Sequence, residues 1–289
     1  AYKNGKLKEN VEVLIKAIES NDRDFIESVT LYTNSQNAIR LRDLCSKDEI
    51  QTKIQKILLD SYKYFYERAR GEFESLYPTP EAKEKLLFKD YKSKIINNEN
   101  AAQSFLALYL NKPAQAKSEK GRIFMKDTAG FYDDIFKKND DIIPEKILMS
   151  WKLLKYIEAQ KKEYKKQYKI ADDLPEEDKR NEIYKYDFLL HSEYFILNLF
   201  KDFLINGQFD IDSKKDDLLN VINKIDANDT KILEYYETIK NLLAEYIEDR
   251  RKKAGYYHNK FFKNEQSIAL VRDFFIQKYA FIEVMPSIR

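Results

Sequence analysis

Apolar residues recur at helical spacing along most of this chain, and that period predicts a mainly α protein. Ser46-Lys47-Asp48-Glu49 reads as a capping box, with Ser at the N-cap and Glu three residues on. Ile50, Ile54, Ile57, Leu58, Tyr62 and Phe65 follow as one stripe, with Gly71 as the expected stop. That reading puts Tyr64, Tyr66, Arg68 and Arg70 at the far end of the same helix. Residues 98–110 are apolar enough for a buried helix, ended by Lys112-Pro113. Pro144 opens a long helix carrying Ile147, Trp151, Leu154 and Ile157, which runs into a solvated stretch over 161–169. A second long helix is expected to carry Tyr186, Leu189, Leu190, Tyr194, Leu197 and Phe200. A third starts at Asp229-Thr230 and ends near Gly255, and the last covers 268–282. Shorter helices are predicted after Asn21-Asp22, at Thr79-Pro80-Glu81 and over 131–136.

Only residues 11–18 read as a strand, from the alternation of Val11, Val13 and Ile15. The expected architecture is therefore a multi-helix domain with at most a small β element near the N-terminus and a C-terminal helical bundle. The division predicted is 1–143, one strand and then helices, and 144–289, the bundle. Ala171 to Asp178 is the best candidate for a linker.

Composition changes the picture in two ways. Six Gly and six Pro in 289 residues leave few turns and favour long helices. Charged residues make up 35%, yet 51 basic against 49 acidic give a formal net charge of +2. That balance predicts neither general nucleic-acid binding nor membrane attachment, so any anion-binding surface has to be a local patch. No stretch reaches ~18 apolar residues, so no membrane span is expected. The single cysteine, Cys45, excludes an internal disulfide and a Cys-rich zinc site, and suits a cytoplasmic protein. The polar start without an initiator Met suggests a fragment.

Candidate chemistry is sparse. With only His191 and His258, histidine catalysis has little to draw on. His191 reads as a structural histidine on an apolar helix. Arg251 and His258 fit the loose R-x4–6-H spacing of some α-helical ribonucleases, but Arg250, Arg251, Lys252 and Lys253 are explained more simply as complementing a helix dipole. The pairs Asp133-Asp134, Asp140-Asp141 and Asp172-Asp173 read as solvated helix ends and loops rather than a metal site. No phosphate-binding Gly-rich loop, nucleophile elbow or zinc-metalloprotease helix is present. No metal and no cofactor are predicted, and no catalytic residue is assigned. The dense polar run Thr33-Asn34-Ser35-Gln36-Asn37, followed by Arg40 and Arg42, is different. Asn and Gln can bond adenine bidentately, and Arg can hold guanine or phosphate. Asn34, Gln36, Asn37, Arg40 and Arg42, joined by Arg68 and Arg70, form the candidate site for a nucleic acid or nucleotide. The bland alternative is that the amides and hydroxyls make turns and caps.

Tyr32-Thr33-Asn34-Ser35-Gln36-Asn37 with Arg40-Leu41-Arg42-Asp43-Leu44 resembles the signature region of the AIPR family, bacterial abortive-infection phage-resistance proteins. The similarity continues through residues 64–71, 103–117, 123–124 and 131–136, and more loosely at 261–264. Family members carry a longer N-terminal portion with an Asn-Gly-x-Gln-Thr-like motif, which this chain lacks, so it resembles the C-terminal part of such a protein. The resemblance implies a role in defence against phage, with no catalytic residues to carry over. The expectation is a defence protein that binds nucleic acid or a nucleotide. The alternatives are a nuclease or toxin effector completed by an N-terminal part, and a helical scaffold that senses a phage or defence-system protein.

Overall fold

A computed structural model describes residues 19–21, 41–87, 89–137 and 140–280. The strand predicted over 11–18, the helix after Asn21-Asp22, and Asn34, Gln36, Asn37 and Arg40 lie outside them. From Leu41 onward the described residues form one compact unit. Seven of its helices exceed ten residues: α1 (Glu49–Tyr62), α2 (Asn98–Leu108), α3 (Ile143–Ile170), α4 (Glu193–Asn206), α5 (Lys215–Asp226), α6 (Thr230–Arg251) and α7 (Ser267–Ala280). Two three-residue strands, β1 (Phe65–Glu67) and β2 (Ile95–Asn97), pair in parallel with Phe65 opposite Ile95 and Tyr66 opposite Ile96. The protein is mainly α with a small β element, as its periodicity predicts.

Helix α2 sits at the centre. Ala101, Ala102, Gln103, Ser104, Leu106, Ala107 and Leu108 are all fully buried, so both of its faces are covered. It packs on α3 and α4, and α3 in turn packs on α1, α4 and α5. Several polar groups inside this layer find partners. The Gln103 amide donates to the Ala116 carbonyl at 2.6 Å, the Asn198 amide to the Ala107 carbonyl at 2.6 Å, and the Ser104 and Ser150 hydroxyls meet at 3.1 Å. Caps explain several boundaries. Asn97 accepts from the Glu99 and Asn100 amides at 3.0 and 3.2 Å to start α2, and Asp229 accepts from the Lys231 amide at 2.8 Å to start α6. No described helix is long and apolar enough to cross a membrane.

Three local expectations are corrected. The capping box is not formed: Asp48 is the N-cap of α1, and the Ser46 hydroxyl instead donates to the Asp43 carbonyl at 2.6 Å. A short 3-10 turn over Cys45–Lys47 shifts the helix start past Ser46. Helix α1 also stops at Tyr62 rather than near Gly71. Lys63 takes the left-handed conformation (φ 59°), and the Tyr64 amide closes back on the Leu58 carbonyl at 3.0 Å. The chain then continues as β1, whose alternation sends Phe65 into a small cluster with Phe73 and Leu87 and Tyr66 into the main core. Tyr64 therefore lies just before a strand, Tyr66 on it, and Arg68 and Arg70 in the turn after it, none of them on a helix. Finally, α4 begins at Glu193. Tyr186, Leu189 and Leu190 belong to a turn before it, with a 3-10 segment over Asp187–Leu190.

Candidate functional site

A cleft of about 930 Å³ opens where four chain segments meet. The end of α1 supplies Tyr62 and Tyr64. The segment leading into β2 supplies Asp90, Lys92, Ser93, Lys94 and Ile95. Helix α3 supplies Trp151, Lys152, Lys155, Tyr156 and Ala159, and the end of α5 supplies Ile225, Asp226 and Asn228. Residues 151, 152, 155, 156 and 159 share one face because they are three or four apart on a helix. Asn228, left-handed at φ 50°, turns the chain between α5 and α6 and sets the cleft's far edge.

The walls are aromatic and basic. The Tyr64 and Trp151 rings meet edge to face at 5.9 Å. Lys152 Nζ lies 4.7 Å from the Tyr64 ring centre, and Lys155 Nζ lies 6.0 Å from that of Trp151. Trp151 is 4% exposed, and its indole Nε1–H has no hydrogen-bond partner. Carboxylates partly answer the lysines. Asp226 pairs with Lys152, Asp90 with Lys94 at 3.4 Å and Glu158 with Lys155 at 2.6 Å. Lys92 is exposed and has no ion pair with any described residue. Burial raises the phenol pKa of both Tyr62 and Tyr156, reinforced by Glu145 at Tyr62 and Glu237 at Tyr156, so both rings enter the cleft neutral. Beneath Tyr62 the Glu145 carboxylate is 1% exposed; it accepts from the Tyr62 hydroxyl at 2.5 Å and from Lys215 at 2.7 Å. This anchors the aromatic wall to the first turn of α3.

Three of the arginines predicted for the site, Arg42, Arg68 and Arg70, lie elsewhere. Arg42 is 5% exposed and walled by carboxylates: Asp43 at 3.7 Å and Glu67 and Glu99 at 4.0 Å each. Its Nε and Nη2 are buried without a hydrogen bond. Arg68 turns onto Glu72, with Nε to Oε1 at 3.0 Å and Nη2 to Oε1 at 2.5 Å, and its Nη1 donates to Thr52 at 3.0 Å. Arg70 is exposed, and its backbone amide donates to Asp43 at 3.2 Å. Asp43 joins the Arg42 side chain to the Arg70 backbone, and Glu72 holds Arg68, so the charges of Arg42 and Arg68 are answered from within, while the Arg70 guanidinium has no ion pair among the described residues. The aromatic–lysine cleft was not anticipated. Its one readable signal is the spacing of Trp151, Lys152, Lys155 and Tyr156 on a single helix face.

No group of three or more metal-ligating side chains occurs among the described residues. Cys45 is buried, with its thiol 3.6 Å from the Phe124 carbonyl.

No curated protein and no solved structure matches the chain. The family model described as AIPR protein matches residues 1–252, nearly the whole length described above together with the polar run that precedes it. The chain belongs to the AIPR family.

Proposed function

We propose that this protein acts in abortive-infection defence against phage by binding a nucleotide or single-stranded nucleic acid in the aromatic–lysine cleft. Family membership supports the defence role. The ligand class rests on one observation: Tyr62, Tyr64, Trp151 and Tyr156 line the same cleft as Lys92, Lys94, Lys152 and Lys155. Aromatic faces stack bases and ammonium groups hold phosphates, and this combination is tolerant of base sequence. A ligand phosphate competes with Asp90, Asp226 and Glu158 for their lysines, whereas Lys92 is open to it. The Asn34, Gln36, Asn37 and Arg40 cluster remains the alternative site.

Trp151 is the only tryptophan of the chain, which makes the test direct. Titration with ATP and with short RNA and DNA strands is expected to quench its fluorescence. Tyr156→Ala should weaken binding roughly 5- to 150-fold, the range of one lost base stack. Lys92→Ala/Lys155→Ala should weaken binding and flatten its salt dependence. Unchanged affinity in both variants, with loss in Gln36→Ala/Arg40→Ala, would move the site to the polar run.

A further inference from the structure

The chain has only two histidines, and the fold stacks them. The His191 and His258 rings lie 6.4 Å apart, centre to centre, with planes 23° from parallel. His258 is held on both nitrogens. Its Nε2 faces Asp187 Oδ1 at 2.7 Å, and its Nδ1 meets the Tyr256 hydroxyl at 3.0 Å. Arg251 fixes that carboxylate in turn. Its Nη2 pairs with Asp187 Oδ1, while Nη1 and Nη2 donate to the Tyr184 and Lys185 carbonyls at 3.0 Å each. His191 is different. Neither of its ring nitrogens has a hydrogen-bond partner among the described residues, and the ring is half-buried. Burial lowers its pKa, helped by the nearby charges of Lys117, His258 and Lys161 against the opposing effect of Glu193. Lys117 and Lys161 both pair with Glu193, at 2.8 and 3.0 Å, so one carboxylate serves two ammonium groups beside the histidines. A second cavity, about 410 Å³ and lined in part by Tyr184, Lys185 and Arg251, adjoins the Arg251 side of the cluster.

We propose that His191 and His258 are an acid–base pair that cleaves RNA by attack of its own 2′-hydroxyl. The neutral imidazole of His191 accepts the 2′-hydroxyl proton as the 2′-oxygen bonds to phosphorus. The bond from phosphorus to the 5′-oxygen breaks, and imidazolium His258 gives its Nδ1 proton to that oxygen. The products are a 2′,3′-cyclic phosphate and a 5′-hydroxyl, with one proton taken up and one released and no other reactant. In-line displacement puts the two oxygens roughly 4 Å apart, each within ~3 Å of its nitrogen, a span that two imidazoles at this separation can cover. The leaving oxygen takes the place of the Tyr256 hydroxyl on Nδ1. Tyr256 follows Gly255, which sits at φ 79°, in an exposed turn. Asp187 fixes the His258 ring and offsets its positive charge, and Arg251 is a positioning residue that fixes Asp187. The Lys117, Lys161 and Glu193 group leaves a net positive charge for the phosphodiester.

This activity does not depend on the aromatic–lysine cleft, and one experiment separates the two. The full chain is incubated in EDTA with an end-labelled single-stranded RNA, with the same strand carrying 2′-deoxy sugars, and across pH 5 to 9. The expected result is RNA fragments ending in 2′,3′-cyclic phosphate, no cleavage of the deoxy strand, and a rate that falls on the acid side as His191 gains a proton. His191→Gln and His258→Gln should each lower the rate at least ~100-fold, the usual size of an acid or base contribution, while Trp151 fluorescence still reports binding. His191→Gln removes no hydrogen bond, so it keeps the test valid if His258→Gln fails to fold. Absence of cleavage, cleavage that persists in His191→Gln, or products ending in a 3′-hydroxyl would each overturn the proposal, and none of them bears on the cleft.

Discussion

Arg42 and Lys92 carry the same charge in opposite settings. The Arg42 guanidinium is 5% exposed, with three carboxylates within 4.0 Å, whereas Lys92 is exposed at the rim of a cleft without an ion pair to any described residue. The first cation holds the start of the compact unit to β1 and α2, through Glu67 and Glu99. The second is available to an incoming anion. A basic residue therefore indicates ligand binding only after its internal carboxylates have been counted. By that count Arg42 and Arg68 are held from within, whereas Lys92 and the exposed Arg70 have no carboxylate partner among the described residues.

Four substitutions test the contrast, in falling order of expected effect. Arg42→Met removes the cation that Asp43, Glu67 and Glu99 share, leaving Glu99 only Lys120, and should lower unfolding free energy by about 3–5 kcal/mol, the cost of breaking a buried ion pair. Urea denaturation measures this; a loss below about 1 kcal/mol would remove the structural assignment. Arg68→Ala, which removes the Glu72 pair and the bond to Thr52, should cost about 2 kcal/mol by the same measurement and leave ligand affinity unchanged. Asp226→Asn removes the partner of the buried Lys152 and should tighten anion binding a few-fold, at a stability cost of about 1–3 kcal/mol because the ammonium is left without its carboxylate. Arg70→Ala, an exposed side chain, should change neither by a measurable amount, within about 0.5 kcal/mol in stability.

The histidine cluster adds a dependence on pH. The native pKa of His191 is lowered, so the unfolded chain binds the extra proton first. Stability should therefore be at its full value above the ordinary pKa of 6.5 and decline as pH falls from there through the native value. Glu193 works in a lower window. Burial alone would raise its pKa, but Lys117 and Lys161 bring it below the ordinary 4.5, so its contribution is lost as pH falls beneath that value. Burial lowers the pKa of Lys117, with Glu193 opposing the shift and the nearby charges of Lys161 and Lys263 adding to it. Denaturation midpoints between pH 5 and 7.5 should fall less steeply toward acid in His191→Gln than in the unaltered chain.

The helices were legible where the apolar period was long or a cap was present. Residues 98–108, the Pro144 start and the Asp229 cap follow from side-chain spacing and local hydrogen bonding alone. The two strands were not legible, because three residues show no period and their pairing joins segments about thirty residues apart. The end of α1 was misplaced for a related reason. A lysine, not a glycine, takes the left-handed position there, and nothing local marks Lys63 for it. The Arg251–His258 spacing was visible as a motif, but its carboxylate partner and the second histidine come from residues 187 and 191.

By itself the sequence determined the helical class, the near-neutral charge and the AIPR signature, since each depends on neighbours along the chain or on composition. The tertiary structure alone decided which cations are answered and which are open. It also alone brought Tyr64, Lys92, Trp151 and Asp226 to one cleft, and the two histidines to one stack. Those are distances between segments remote in sequence, set by how α2, α3 and α5 pack, and no local pattern encodes them.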